Sequence, residues 1–291
     1  MNRKKYCSVD RNKSDPWIQW VTMAALLLVC LCGCARSPEE LRKESRPYLD
    51  RGLKYLQMKD TTGALKELLK AVEIDPENPW IHNWLGFAYN LKQLYKQSEK
   101  HLRKAIEIDP KYSEARNNLG ATYMAVQEWD KAIAQYEIIS RDVVYRSPDF
   151  AFNNLGQAYF KKGLFDKAIE NYQKSIKLNE AMPVSHHNLG LVLLELGKME
   201  EAVKEFQRAI QIYPDYVDAH YWLARAYVRM KVNDQAIKEF KEVIRMAPTG
   251  DLEKSARQYI SILESKKPGE TNPSEAVPSV STPGPSQGKN P

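Results

Sequence analysis

Cysteine is missing from almost all of this 291-residue chain: Cys7, Cys30, Cys32 and Cys34 are its four, and none follows. The body therefore has neither a disulfide framework nor a thiolate metal site, and it offers no thiols to mispair in an oxidising compartment. Catalytic motifs are missing too. No His-Glu-x-x-His, no phosphate-binding glycine loop and no Gly-x-Ser-x-Gly occurs, so nothing points to an enzyme, a cofactor, a metal or a small-molecule substrate. Charge of one sign is scarce. The formal net charge is +6, and five of the basic residues but only two of the acidic ones precede Cys34. What remains is mildly basic and dispersed, which argues against nucleic acid and for a well-solvated surface of mixed charge. Aromatic residues are absent after residue 265. Prolines 268, 273, 278, 283, 285 and 291 stand there among Ser, Thr, Gly and Glu, a composition that cannot bury enough apolar surface to order itself.

Long apolar runs are confined to one place. Residues 1–16 are basic and polar, and Trp17 to Ala35 carries no charge, with Ala24-Ala25-Leu26-Leu27-Leu28-Val29 at its centre. A positive start before a short apolar run is a secretory signal pattern. The run ends in Leu31-Cys32-Gly33-Cys34, which looks like a lipobox: a leucine, two small residues, then the cysteine that receives the lipid. The other reading, an uncleaved transmembrane anchor, meets a run that is marginal for the ~20 residues a span needs. Acyl chains on Cys34 would hold the chain at a membrane at ~0.8 kcal/mol per buried methylene. By resemblance to Gram-negative lipoproteins, Ala35 in place of aspartate points to the outer membrane, with the body facing the periplasm.

Glycine is uncommon, at 13 residues, and its placement is regular. Glycine or a small substitute falls at Gly52, Gly86, Gly120, Gly156, Gly190 and Ala224, at spacings of 34, 34, 36, 34 and 34. That period is the tetratricopeptide signature of paired helices. Other marks keep register: Tyr55, Tyr89, Tyr123, Tyr159, Leu193 and Tyr227 three residues on; Ala64, Ser98, Ala132, Ala168, Ala202 and Ala236 twelve residues on; Leu68, Leu102, Tyr136, Tyr172, Phe206 and Phe240 four further. Pro76, Pro110, Pro214 and Pro248 close four repeats, because proline lacks an N–H and biases its predecessor to extended backbone. The spacing predicts an all-α superhelical solenoid of six helix-turn-helix repeats, 45–78, 79–112, 113–148, 149–182, 183–216 and 217–250. A signal peptide (1–33) and a lipid anchor with a short linker helix (34–44) precede them. A capping helix (251–265) and a Pro/Ser-rich tail (266–291) follow. Ser37-Pro38-Glu39-Glu40 reads as a capping box, and Asn78-Pro79 and Ser147-Pro148 as N-cap followed by proline. Ile139 and Val144 replace the closing alanine and proline of the third repeat, which predicts a longer connection over 140–148 and a local change of superhelical angle.

The first helix of each hairpin lines the groove of such an array. Asn118, Asn154 and Asn188 recur at one position in consecutive repeats. They either grip an extended peptide backbone, since each amide donates and accepts, or serve packing and local hydrogen bonding. Trp80, Trp84, Phe87, Phe150, Phe160, Leu191, Leu194 and Tyr221 are the apolar groove candidates, and Arg225 with Arg229 could meet an acidic partner. His186-His187 read as surface or groove residues and not as ligands. The lysine-and-asparagine clamp for a terminal carboxylate is missing, with Leu49 and Leu53 in its place.

A lipobox, six repeats and the interrupted junction Asp142-Val143-Val144-Tyr145, leading into Phe152-Asn153-Asn154-Leu155-Gly156-Gln157-Ala158-Tyr159, resemble the type IV pilus pilotin family of outer-membrane lipoproteins. The resemblance spans roughly residues 34–265, and the proline-rich tail is not part of it. It implies a scaffold whose groove holds a secretin subunit and promotes assembly of the secretin ring. A general envelope adaptor for peptidoglycan enzymes, on the same fold with other clients, stays open beside it.

Overall fold

The computed structural model describes residues 36–142 and 144–265. The signal, the lipobox with Cys34 and the proline-rich tail lie outside the described residues. Thirteen helices and no strand occur among those described: α1 (Pro38–Gln57), α2 (Thr61–Ile74), α3 (Pro79–Leu91), α4 (Tyr95–Ile108), α5 (Ser113–Ala125), α6 (Trp129–Ser140), α7 (Pro148–Lys161), α8 (Phe165–Leu178), α9 (Pro183–Glu195), α10 (Met199–Ile212), α11 (Val217–Arg229), α12 (Asn233–Met246) and α13 (Asp251–Ser265). They fall into two compact units, one holding α1–α5 and the other α6–α13.

Within each hairpin the glycine of the first helix admits a large side chain from the second. A Cβ on Gly156 would stand 2.8 Å from ring carbons of Tyr172, and one on Gly190 would stand 2.7 Å from Phe206. Leu68 likewise closes on Gly52 and Leu102 on Gly86, and all four large residues are buried. Ala64, Ala132, Ala168, Ala202 and Ala236 are fully buried, as the periodicity requires of the second helix's small surface. The tyrosines in register then join successive repeats. Tyr123 Oη donates to Glu99 (2.9 Å), Tyr159 Oη donates to Glu137 (2.7 Å), and Tyr227 Oη accepts from Gln207 Nε2 (3.0 Å).

Three-residue turns inside the hairpins centre on a left-handed residue: Lys59 (φ 60°), Gln93 (φ 60°), Gln127 (φ 62°), Gly163 (φ 78°), Gly197 (φ 75°) and Lys231 (φ 61°). Only two of these are glycine, so the turn is imposed by helix packing at the others. Between hairpins, Asp109, Asn179 and Tyr213 take extended backbone at the helix C-caps; proline follows Asp109 and Tyr213 and prefers that conformation before it, while Glu180 follows Asn179.

The capping box is present: Ser37 Oγ accepts from Glu40 N and the Glu40 carboxylate accepts from Ser37 N (2.8 Å), which holds that carboxyl below the usual range. Asn78 caps α3 through Trp80 N (3.1 Å). Ser147 occupies the N-cap position of α7 but makes no side-chain cap bond. The short linker helix expected before residue 45 is instead the start of α1, which runs through Pro47 into the first repeat. Proline removes one N–H from the ladder, and Leu49 and Gly52, packed beyond it, keep the helix going. The junction after the third repeat is longer than its counterparts: residues 141–147 separate α6 from α7, against 75–78, 109–112, 179–182 and 213–216 elsewhere. Asp142 holds part of this loop, its carboxylate accepting from Val144 N (3.1 Å).

Candidate protein-binding face

The expected groove residues divide between the two units. In the first, α3 presents a row of large side chains. Trp80 is 61% exposed and stacks on Tyr112 at 6.4 Å, while Trp84 and Phe87 meet edge to face at 5.8 Å. Trp84 is half-buried against the core formed by Leu49, Leu68, Ile81 and Leu85, so only part of its ring faces out. A cleft of about 390 Å³ lies beside Trp80, lined by Arg42, Arg46, Leu49, Leu53 and Asn78 among others. Leu49 and Leu53, which replace the carboxylate clamp, thus form an apolar floor, and the two arginines of α1 stand at its rim. Arg46 also pairs with exposed Asp50 at 3.5 Å. The sequence assigns Arg42 to a linker helix (34–44) and Arg46 to the first repeat, so it does not set the two on one helix as α1 does. Their register, six and ten residues ahead of Gly52, was the signal available.

In the second unit, Phe150 on α7 is 36% exposed. Phe160 is half-buried and tilts against Phe165 at 5.9 Å, with Lys161 Nζ 5.9 Å from its ring. Asn154 and Leu191 are half-buried. Two candidates leave the surface altogether. Tyr221 is 1% exposed, with its hydroxyl 2.9 Å from Ser255 Oγ, and Leu194 is 1% exposed. Tyr221 is hairpin core, because α11 packs against α12 and the capping helix through Phe240 and Tyr259, and Leu194 is buried on α9. Arg225 lies 4.4 Å over the Trp222 ring, and Arg229 donates to the Leu194 carbonyl at 3.0 Å. These arginines are therefore occupied, one by an aromatic face and one by backbone.

The asparagine row is resolved by its partners. Asn118 Nδ2 donates to Asn83 Oδ1 (2.9 Å), and Asn188 Nδ2 donates to Asn153 Oδ1 (3.0 Å). Each bond joins the first helix of one repeat to the first helix of the next. Asn188 is buried, so it is a ladder residue and not a peptide contact. A second polar knot was not legible beforehand: Ser175 Oγ donates to the Asp149 carbonyl (2.8 Å) and accepts from Ser185 Oγ (2.7 Å), which also lies 3.3 Å from Asn153 Oδ1. Its members are small hydroxyls, which a packing motif and a polar bridge use alike.

The adjacent histidines are also corrected. His186 and His187 are both buried. His186 Nδ1 lies 2.7 Å from Glu205, and His187 is boxed by Phe206 and Tyr216. Burial pushes His187 down to about 4, against a smaller opposing pull from Asp218. Among the described residues no group of three or more His, Cys, Asp or Glu could hold a metal ion, and no helix is long and apolar enough to cross a membrane.

A ladder of paired helices with exposed aromatic side chains on its first-helix faces defines a class: a helical-repeat scaffold that binds protein. The profiles described as TPR repeat match residues 52–93, 156–197 and 191–231, and those described as tetratricopeptide repeat match 81–112, 101–134 and 217–249. Together they cover more than half of the sequence, and the chain belongs to the tetratricopeptide-repeat family. A comparison with curated protein sequences finds no match. Among solved structures the chain is similar to that of Pseudomonas aeruginosa pilF, with 23% identity, 78% of this chain and 99% of that one covered, and a TM-score of 0.65. It is also similar to PilW, described as a widely conserved type IV pilus biogenesis factor, with 17% identity, 73% and 98% covered, and a TM-score of 0.68. The Cut9-Hcn1 assembly of the APC/C matches at 17% identity and a TM-score of 0.62, with only 46% of that chain covered.

Proposed function

We propose that this chain is an outer-membrane lipoprotein, anchored through Cys34 and facing the periplasm, that holds a secretin subunit and promotes its assembly during type IV pilus biogenesis. The observation that carries this reading is coverage of both chains together: 78% of this chain matches 99% of the pilF structure and 73% matches 98% of PilW, whereas the Cut9-Hcn1 chain is matched over less than half. The lipobox ahead of α1 supports the anchor. The partner lies along the first-helix faces, with Trp80, Phe87, Phe150, Phe160 and Leu191 as apolar contacts and Arg42 and Arg46 at the rim of the α1–α3 cleft. Binding without chemistry suits a protein with no reactive constellation among its described residues.

Deleting the gene and comparing heated and unheated membrane fractions for secretin monomer and multimer tests the proposal. The expected result is loss of the multimer, restored by the wild type and impaired with Cys34→Ala. Unchanged multimer and normal pili would leave an envelope adaptor with another client.

A further inference from the structure

All five histidines of the chain sit where the two helices of a hairpin meet, and they do so in chemically opposite ways. In the second hairpin, His82 Nε2 donates to the Pro76 carbonyl at 2.9 Å. A carbonyl only accepts, so Nε2 carries the proton and His82 Nδ1 is a bare lone pair. That lone pair faces His101 Nδ1 at 3.0 Å, which must therefore donate. The centroid of the His101 ring lies 5.5 Å from that of Tyr89 and 5.2 Å from that of His82. One further proton, on His101 Nε2, leaves the Nδ1–Nδ1 bond intact. A second has no site except the lone pair that makes the bond, and it places two cations 3.0 Å apart.

The surroundings give the double cation little relief. Lys104 on α4 faces His82, though it is paired with Glu77 at 3.2 Å, and Lys100 faces His101. Asp75 and Glu77, on the connection before α3, favour the charged form of His82 but rank below burial. The sixth hairpin is built the other way. His220 Nε2 donates to the Pro214 carbonyl (3.0 Å) and Nδ1 meets the Glu239 carboxylate at 2.6 Å, so its imidazolium satisfies both partners.

We propose that the His82–His101 pair is an acid-operated latch on the second hairpin. Near neutral pH it holds α3 against α4. As pH falls below the ordinary histidine range, charging of both rings breaks the bond and loosens this hairpin while the sixth stays closed. The latch controls a functional surface, because α3 carries Trp80, Trp84 and Phe87. Loss of partner grip in acid rests on the reading of that surface given above, but the loosening itself does not.

Hydrogen exchange of the full chain, followed peptide by peptide between pH 7 and pH 4.5 and corrected for intrinsic rates, tests the latch without any partner. Exchange in α3 and α4 is expected to rise at least tenfold relative to α11 and α12, one pK unit of differential protonation being a factor of ten. In His101→Gln, whose amide can still donate to His82 Nδ1, that rise should disappear. Parallel acceleration of both hairpins, or an unchanged rise in His101→Gln, overturns the proposal. Should the variant fold poorly, NMR titration of the wild-type rings decides instead: His82 and His101 are expected to titrate below 6.5, and titration of both at 6.5 or above overturns it.

Discussion

At the residue scale, backbone conformation separates positions that sequence periodicity treats alike. Gly163 and Lys231 occupy the same left-handed turn in different repeats, with φ of 78° and 61°. Nothing would meet a Cβ at Gly163, so Gly163→Ala costs only the left-handed conformation, about 1 kcal/mol by thermal unfolding. Lys231→Gly gains less, because glycine's freedom in the unfolded chain offsets part of the relief. Gly156 is different. It is helical, and its missing side chain makes room for Tyr172. Gly156→Ala is expected to lose roughly 1–2 kcal/mol, since overpacking outweighs alanine's helix propensity. Stabilisation at that site would contradict the packing account. Both kinds of glycine were visible in the sequence, but only the helical ones announced their role, through a fixed distance to a large residue. The turn glycines have no such partner, and four repeats place a different residue there.

At the element scale, a recurring tie holds three of the first helices to the connection before them. His82 donates to the Pro76 carbonyl, Arg116 to that of Pro110 (2.9 Å) and His220 to that of Pro214. At the end of the fourth repeat Glu180 stands in place of proline, and in the fifth His186 Nε2 is a buried nitrogen without a hydrogen-bond partner. Asn179 before it already has the extended backbone a proline requires, at φ −148°. Glu180→Pro is therefore expected to stabilise the chain by about 0.4–1 kcal/mol through the unfolded state, read as an upward shift of the denaturation midpoint. A destabilised variant would mean that residue 180 needs its N–H. The helices themselves were legible from period, proline and N-cap residues. The ties were not, because a six-residue step from side chain to carbonyl leaves no mark in hydropathy. The asparagine row shows the same limit from the other side: its spacing was plain, but whether the amides faced a ligand or one another depended on how successive first helices pack.

For the molecule as a whole, the buried histidines make stability depend on pH in one direction. His101 and His187 are both driven down to about 4, by burial first and, for His101, by His82 next. A histidine whose folded value lies below its unfolded 6.5 stabilises fully above pH 6.5, and that contribution is lost as pH falls towards 4. His187, fully enclosed, accounts for on the order of 3 kcal/mol over that window, and His101 for less because water reaches it. His220, whose value is raised because Glu239 and the Pro214 carbonyl outweigh burial, works in the opposite sense and offsets a part. Urea denaturation at pH 7 and pH 4.5 should show the midpoint fall, and His187→Phe should flatten the dependence. A midpoint that rises on acidification would contradict this.

In the proposed function the first-helix faces, and not the second, receive the protein partner. Photocrosslinking residues placed singly at Leu91 on α3 and Phe150 on α7 (39% and 36% exposed), with Leu178 on α8 and Tyr213 after α10 as more accessible controls (54% and 51%), test it directly in cells. The account predicts that the first pair crosslinks to the secretin subunit and the second pair does not. Crosslinks to it from Leu178 and Tyr213 alone would place the partner on the opposite face and contradict the account.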